Sequence, residues 1–543
     1  MKRPGDSEYR HVEVPLEELQ QALARSLDAP LAEADYRKLA AALDTLAHLT
    51  QLLAAKDTTI RDLRQLLFPA STEKTRNVLP NAGSEAAAAG PPQQEQNKKK
   101  PGHGRNAAAA YQGARRVRTA HPTLQTGDPC PACEKGKLYT QREAKVLVRI
   151  VGQAPIAATV YEMERLRCNL CGEIFTAPAP AEAGGEQPRK YDETAAAMMA
   201  TLRYGGGMPL NRLKDLEASL GIPLPASTQW GIVEEVAQLI QPAHDELIRQ
   251  AAQGEVLHND DTSMKVLSLR REKLTADSGE RMGVFTSGIV STQPGRRIAL
   301  FFTGRRHAGE NLSEVLERRA AQLAPPIQMC DALSRNLKLP AELEVIVGHC
   351  LAHGRRRFVA VAENFPAPCR HVLEKLGAVY ANDALARQRG LSPEQRLRLH
   401  QQHSKSVMDE LEMWLQAQLA EKRVEPNSGL GTAMTYLLKH WERLTLFLRQ
   451  AGAPLDNNVC ERALKKAILH RKNSLFYKTQ NGARVGDLFM SLIHTAELCG
   501  ANPFDYLTQL QKHAAELAAA PAQWMPWNYR QALGRSGLPL DCQ

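Results

Sequence analysis

No stretch of the sequence approaches the roughly 18 consecutive apolar residues that a membrane span needs. The opening MKRPGDSEYRHVEVP also lacks an apolar run of the signal-peptide kind. Membrane-embedded and secreted readings are set aside, and the chain reads as cytosolic. Cysteine is too sparse for a disulfide framework. Of ten cysteines, four fall in two CxxC pairs, Cys130/Cys133 and Cys168/Cys171, while Cys330, Cys350, Cys369, Cys460, Cys499 and Cys542 are scattered. Hydrophobic residues make up 43% and charged ones 24%, which excludes wholesale disorder. A length of 543 residues excludes a single small module, at roughly 150 residues per domain. Acidic residues are missing altogether from Gln96 to Ala120, where Lys98, Lys99, Lys100, Arg105, Arg115, Arg116 and Arg118 stand. With Lys plus Arg at 69 against Asp plus Glu at 59, a net charge of +10 favours a polyanionic partner, and this segment is its local footprint.

Ahead of that segment, Leu39, Leu43, Leu46, Leu53, Ile60 and Leu67 follow a heptad spacing, with Thr50, Asp57 and Arg64 in alternate seam positions. The pattern predicts a helix that pairs as a coiled coil. A second stripe, Leu49, Leu52, Leu63 and Leu66, leaves intramolecular packing open. Pro69 and Ser71 end the helix, and NAGSEAAAAGPPQQEQN (Asn81 to Asn97) reads as a flexible linker feeding a cationic arm. That arm either contacts DNA or is a solvated tether; the cysteine module beside it tilts the reading towards DNA.

The CxxC pairs bracket two β-like segments, KVLVRIVG (Lys145 to Gly152) and TVYEMERLRC (Thr159 to Cys168). Each CxxC turn aims two sulfurs at one point, so Cys130, Cys133, Cys168 and Cys171 are candidates for one structural Zn²⁺, with no open position for catalysis. After the hinge from Thr176 to Tyr191 the text is helical from Thr194 to about Ala251, broken at Gly205 to Gly207, with Ser227 a candidate N-cap. From Glu255 the period changes. VLHNDDTSMKVLSL, RMGVFTSGIV and RRIALFFTG predict three strands, a helix follows from about Gly309 to Leu323, and PIQMCDAL and EVIVGHCL predict two more strands. This order predicts an α/β fold with a mixed sheet. Beyond Arg355 the text is helical, including long segments at Ser392 to Arg423 and Gly431 to Ala451. A last body helix begins near Asp456, and the tail from Pro521 reads as loosely held.

Cleavage of a phosphodiester with two Mg²⁺ ions needs carboxylates converging at strand and helix ends. Asp260, Asp331 and Glu461 occupy such positions. Glu461 lies among Arg462, Lys465, Lys466, Arg471 and Lys472, which suits a metal ligand beside phosphate, although an i,i+4 pair with Lys465 would explain it without function.

LHNDDTSMKVL, QMCDALSRN, HCLAHGRRRF and above all PLDNNVCERALKKAILHRKNSLF resemble the hallmark blocks of insertion sequence 66 family transposases. LFPASTEK, PGHGR, the CxxC pairs, PLNRL and GANPFDYL extend the resemblance over nearly the whole chain. It implies a DDE transposase with a ribonuclease-H-like catalytic core, dependence on Mg²⁺ (or Mn²⁺) and a zinc-finger DNA-binding region. On its motif the catalytic and magnesium-binding residues are Asp260, Asp331 and Glu461. Asp261 stands where the family usually has Glu, which makes it a rival ligand, and Ala332-Leu333 replaces a usual Gly-Tyr. Cys350 and His353 form a CxxH that with only two visible ligands reads as structural or packing, and His353 with Arg355, Arg356 and Arg357 could instead face DNA.

The implied organisation is a coiled-coil segment (1–75), a basic linker (76–120), a zinc module (121–180), a helical DNA-binding or support region (190–252), a catalytic core (253–363 and 453–500) interrupted by a helical insertion (364–452), and a C-terminal helical tail (501–543). Lys98, Lys99, Lys100, Arg105, Arg115, Arg116, Arg462, Lys465, Arg471 and Lys472 are the expected DNA contacts. The expected partners are the element's double-stranded ends and target DNA, a second copy of the chain, and accessory proteins encoded by the same element. The expected location is the bacterial cytoplasm, on the nucleoid. A noncatalytic DNA-binding or assembly protein of the same descent is the rival reading.

Overall fold

The computed structural model describes residues 120–535, apart from 142–145, 151–152, 172, 184–189, 272–281 and 341, together with Tyr36, Leu39 and Val117. The chain divides into two compact units, Met1–Ser84 and Glu85–Gln543. In the first, Tyr36 and Leu39 are helical; the rest of the heptad pattern lies outside the described residues. So do Lys98, Lys99, Lys100, Arg105, Arg115 and Arg116 of the second unit.

In the cysteine region β1 (Arg165–Arg167) and β2 (Ile174–Thr176) form an antiparallel hairpin whose turn holds Cys168 and Cys171. The hairpin corrects the sequence reading of two strands between the CxxC pairs: the described part of KVLVRIVG is not a strand, and the partner of β1 follows the second pair. Alternating valines set the period without supplying a neighbouring strand to bond.

Next come helices α1 (Glu193–Ala200), α2 (Leu210–Ser219), α3 (Ala226–Leu239) and α4 (Gln241–Ala251). The Asp192 carboxylate caps α1 by accepting from the Ala195 amide at 2.8 Å. Ser227 does not cap α3; the helix starts one residue earlier, behind Pro225, whose extended backbone already turns the chain.

The sheet of the second unit is mixed, in the order β5-β4-β3-β6-β7. β3 (Val256–Ser263), β4 (Phe285–Gln293) and β5 (Arg296–Gly304) run antiparallel, and β6 (Ile327–Cys330) and β7 (Ile346–His349) lie parallel to β3. Four of the five strands fall within the segments expected from the sequence, and β4 runs three residues past the end of RMGVFTSGIV, to Gln293. Helix α5 (Leu267–Arg271) follows β3, and α6 (Ala308–Leu316) follows β5, shorter than the expected Gly309 to Leu323.

After β7 the chain is helical: α7 (Leu351–Val361), α8 (Pro366–Gln388), α9 (Pro393–His403), α10 (Lys405–Ala420), α11 (Gly429–Lys439) and the short α12 (Trp441–Leu444). The helical text from Ser392 to Arg423 is therefore two helices. Ser404 breaks it because its side chain is buried against the His400 ring and the Asn382 amide, 2.9 and 3.1 Å away. The chain returns to the sheet through α13 (Asn458–Ser474) and α14 (Gln480–Leu498).

Helix α14 covers the open edge of β5. Ala299, Phe301 and Thr303 donate backbone N–H bonds to the side chains of Thr495, Ser491 and Asp487, at 3.0, 3.0 and 2.6 Å. Four residues of helix advance about 6 Å and two of strand about 6.6 Å, so a polar residue every fourth position matches every second strand amide. An edge that would otherwise pair with another chain is thereby closed.

Burial raises the Asp487 carboxyl to about 7, against the hydrogen bonds from Thr303, and its ordinary value is 3.8. Because the folded-state value lies above the unfolded one, this group's contribution is fully present below about pH 4 and is lost as pH rises through about 7. Asp487→Asn keeps both bonds to Thr303 without the charge. Urea unfolding should show the variant gaining on the intact chain between pH 5 and pH 8, and parallel curves would contradict this.

Beyond α14, α15 (Pro503–Lys512) and α16 (Ala514–Ala519) lead to α17 (Tyr529–Arg535). The described residues after Pro521, up to Arg535, are not loosely held: Trp524, Met525 and Tyr529 are buried. Tyr506 Oη donates to the Trp524 carbonyl at 2.9 Å and Tyr529 Oη to Asp505 at 2.6 Å. Three large apolar side chains outweigh the prolines around them. Among the described residues no helix is long and apolar enough to cross a membrane.

Candidate active site

The strand register builds the site. On β3 and β6, Val256 pairs with Ile327 and His258 with Met329; carried on by two residues, the same register sets Asp260 beside Asp331. On the far side Cys330 pairs with His349, so the next step sets Asp331 beside Cys350. On the near side Asp260 pairs with Gly288. Laterally paired residues share a face, so Gly288, Asp260, Asp331 and Cys350 form one row across four strands.

Helix α13 crosses this face at the end of the row where there is no side chain. Its buried stripe is Cys460, Ala463, Leu464 and Ala467, a helical period of three and four. Cys460 Sγ lies 3.2 Å from the Gly288 carbonyl, and a methyl group at Gly288 would come within 2.9 Å of Leu464. Glycine is needed there for the helix to approach. That approach brings Glu461, in the first turn of α13, to the row.

Asp261, one residue on, faces the other way. Its carboxylate accepts from His307 Nδ1 at 2.7 Å and lies 3.5 Å from Arg335 Nη2, while Asn311 of α6 bonds Ser287, its partner on β4. Period-two alternation thus separates the two neighbouring aspartates, Asp260 towards α13 and Asp261 towards α6.

Burial and then the Asp331 carboxylate raise Asp260 to about 7, with Asp261 and Glu461 adding to the repulsion. The site therefore concentrates negative charge in a partly dry place, an arrangement that a divalent cation relieves. Burial pushes Glu461 up as well. The two hydrogen bonds and charge of Arg356, with His353 and Lys465 behind, carry it below the ordinary carboxylate range. Arg356, on α7, grips both oxygens at 2.9 and 2.5 Å. The partner of Glu461 is thus Arg356, 105 residues away, rather than Lys465 one turn along its own helix.

Buried amides hold these acids in place. Asn336 Nδ2 donates to Asp331 Oδ1 at 2.5 Å, while the Asn336 carbonyl accepts from Asn259 Nδ2 at 3.1 Å and Gln328 Nε2 at 2.7 Å. Asn457, fully buried, accepts from His258 Nδ1 at 3.0 Å, donates to the Asn259 carbonyl at 3.1 Å, and gives its backbone N–H to Cys350 Sγ at 3.2 Å. One residue, by its side chain and its backbone N–H, thereby ties the start of α13 to β3 and to the residue after β7. Asn259, Gln328, Asn336 and Asn457 were passed over in the sequence, although each lies inside a recognised block, and Arg356 was read there as a residue that could face DNA rather than as the partner of Glu461.

The cations of α13 divide. Arg462, Lys465 and Lys472 are exposed. Arg471 instead holds the end of β3, bonding Thr262 Oγ1 at 3.0 Å, Ser263 Oγ at 2.7 Å and the Ser263 carbonyl.

Among the described residues, the group of three or more Cys, His, Asp or Glu donors lying within 4.8 Å of one another is Cys350, His353 and Glu461. Asp260, Asp331 and Glu461 share the site at wider spacing. The two CxxC pairs are not brought together as such a group. Each is shaped as a tight turn: the Glu134 amide bonds the Cys130 carbonyl at 2.8 Å, and the Leu170 amide lies 3.4 Å from Cys168 Sγ. Backbone N–H groups of Lys135 and Gly136 and the Cys130 thiol hold Cys133 below the ordinary thiol range.

Two proteins of Sinorhizobium fredii (strain NBRC 101917 / NGR234) are similar to this chain. The uncharacterized protein y4jD is 26% identical over 67% of this chain and 71% of its own length. The uncharacterized protein y4hP is 26% identical over 74% of both chains. Residues 190–485 match the model of the transposase IS66 family. That span exceeds half of the chain and holds the row on the sheet, α7 and α13, and so the chain belongs to the transposase IS66 family.

Proposed function

We propose that this chain is a DDE transposase, which binds the terminal inverted repeats of its own element and catalyses divalent-metal-dependent strand cleavage and strand transfer. The observation that carries the reading is the alignment of Asp260 with Asp331 on one sheet face, with Glu461 delivered to it by α13. A ribonuclease-H-like core is supported by three antiparallel strands followed by two parallel ones, with Asp260 on the central strand. The helices from α8 to α12 would be the insertion between its second and third acids.

Asp260, Asp331 and Glu461 would hold two Mg²⁺ (or Mn²⁺) ions, and such a pair, when bound, activates water and stabilises entering and leaving oxygens. Oxygen-only donors at mutually repelling positions fit hard divalent cations. Arg356 must release Glu461 for this role, and its guanidinium is then placed to meet a phosphate. Asn336 orients Asp331, and Asn457 orients the start of α13. Water cleaves the phosphodiester at the element end and leaves a 3′-hydroxyl, which attacks a target phosphodiester in line and displaces the other 3′-oxygen.

Arg462, Lys465 and Lys472 are the proposed phosphate contacts on α13, joined by Lys98, Lys99, Lys100, Arg105, Arg115 and Arg116 of the basic arm. Arg471 serves as a strut for β3. Cys130, Cys133, Cys168 and Cys171 are proposed to hold one structural Zn²⁺. Leu147, Ile150, Val160, Leu170 and Phe175 are exposed around them, and drawing the two turns together would give these side chains a core. Acting on two element ends implies at least two copies of the chain, in the bacterial cytoplasm on DNA.

The test is incubation with Mg²⁺ and labelled DNA carrying the element's repeats. The proposal expects nicks with 3′-hydroxyl ends and joined products. DNA binding without cleavage would select the noncatalytic assembly protein instead.

A further inference from the structure

The CxxH pair acquires a third donor in the fold. Cys350 follows β7 and stands at the N-cap position of α7, and His353 follows at one helical turn, its amide bonding the Cys350 carbonyl at 3.2 Å. Glu461 arrives from α13, and the thiol sulfur, an imidazole nitrogen and a carboxylate oxygen lie within 4.8 Å of one another. Ligand atoms around a tetrahedral zinc ion are about 3.5 Å apart, from bond lengths of about 2.0 to 2.3 Å. His353 Nδ1 stands 3.7 Å from Glu461 Oε1. That nitrogen is also buried and has no hydrogen-bond partner, a costly arrangement for a polar atom unless something else occupies its lone pair.

The donor set decides the ligand class. One sulfur, one nitrogen and one oxygen suit a borderline or soft ion, whereas Mg²⁺ takes oxygens. Three protein ligands leave a fourth position open to water, unlike the closed four-ligand set of a structural zinc site.

We propose that Cys350, His353 and Glu461 form a binding site for a thiolate-accepting divalent transition metal of the zinc class, and that filling it withdraws Glu461 from Asp260 and Asp331 and stops strand cleavage. The second half rests on the transposase reading above; the binding site does not. Occupation displaces Arg356 from Glu461 and releases the Cys350 proton to solvent. The site acts as an inhibitory metal sensor built from a catalytic side chain.

The experiment titrates Co²⁺ into the intact full-length chain and into Cys350→Ser and His353→Ala, following thiolate-to-cobalt absorption. Cys130, Cys133, Cys168 and Cys171 are common to all three proteins and cancel in the differences. The intact chain should bind one more cobalt than either variant, or bind that equivalent more than about tenfold more tightly. Equal stoichiometry and affinity in all three overturn the site. His353→Ala leaves the buried sulfur in place, so it carries the test where Cys350→Ser unfolds.

In Mg²⁺-dependent cleavage, a zinc concentration that fills the site should inhibit the intact chain about tenfold and Cys350→Ser less than about twofold. Equal inhibition of both would overturn the sensor and assign the effect to the carboxylates alone. An intact chain that takes the extra cobalt and never cuts DNA keeps the site while overturning the transposase reading and the inhibition.

Discussion

Glu461→Gln is expected to lower Mg²⁺-dependent cleavage of element-end DNA on the order of 10³-fold while leaving the chain folded and DNA-bound. The two side chains have the same shape, and Gln retains one bond to Arg356. The loss of that ion pair, whose side chains are 35% and 23% exposed, should cost about 1 kcal/mol. What Gln cannot supply is the negative charge that makes Glu461 a ligand for a hard cation. Gel assays of binding and cleavage on one preparation separate the two effects. Cleavage within about tenfold of the intact chain would remove Glu461 from the chemistry.

Asn457→Ala is expected to act through placement. It removes two buried side-chain bonds, strands the His258 Nδ1–H and the Asn259 carbonyl, and should cost about 3 kcal/mol in chemical denaturation. Burial holds His258 down to about 4, so the ring is neutral and cannot recover the loss by charging. Cleavage should fall on the order of 10²-fold under conditions where the variant remains folded, because Glu461 sits one helical turn beyond Asn457 and a shift of about 1 Å is enough. Asn457→Asp keeps an acceptor for His258 and should recover part of the stability. A variant that loses stability but cuts at the intact rate would show that Asn457 has no role in positioning.

The five strands of the sheet were legible from short runs set between turn residues, apolar in β5 to β7, although β3, VLHNDDTS, is largely polar. The three acids were legible only through the resemblance, since composition offers 59 candidates. What could not be read was register. Asp260 and Asp331 meet because β3 and β6 pair with a particular offset, and no local pattern states it. Gly288 is one of 36 glycines until α13 is seen to cross it. Arg356 and Glu461 find each other across the five helices α8 to α12, whereas the sequence offered Lys465 as the nearer partner.

The amides Asn336 and Asn457 look like surface residues by type, yet each is fully buried, because strand ends and helix starts leave backbone groups that need partners. Errors followed the same logic. KVLVRIVG has strand period but its described part has no strand neighbour, and the described residues beyond Pro521 have prolines but also Trp524, Met525 and Tyr529 to bury. The carboxylate that approaches the CxxH pair comes from α13, a neighbour that local spacing does not announce.

The measurement that tests the central claim most directly is nicking of labelled element-end DNA in Mg²⁺ by the intact chain, Asp260→Ala and Asp261→Ala side by side. The two residues are adjacent on β3 and face opposite sides of the sheet. The account expects cleavage to disappear in Asp260→Ala and to persist in Asp261→Ala, which loses the His307 contact and some stability. Cleavage that survives in Asp260→Ala, or that disappears only in Asp261→Ala, would contradict it.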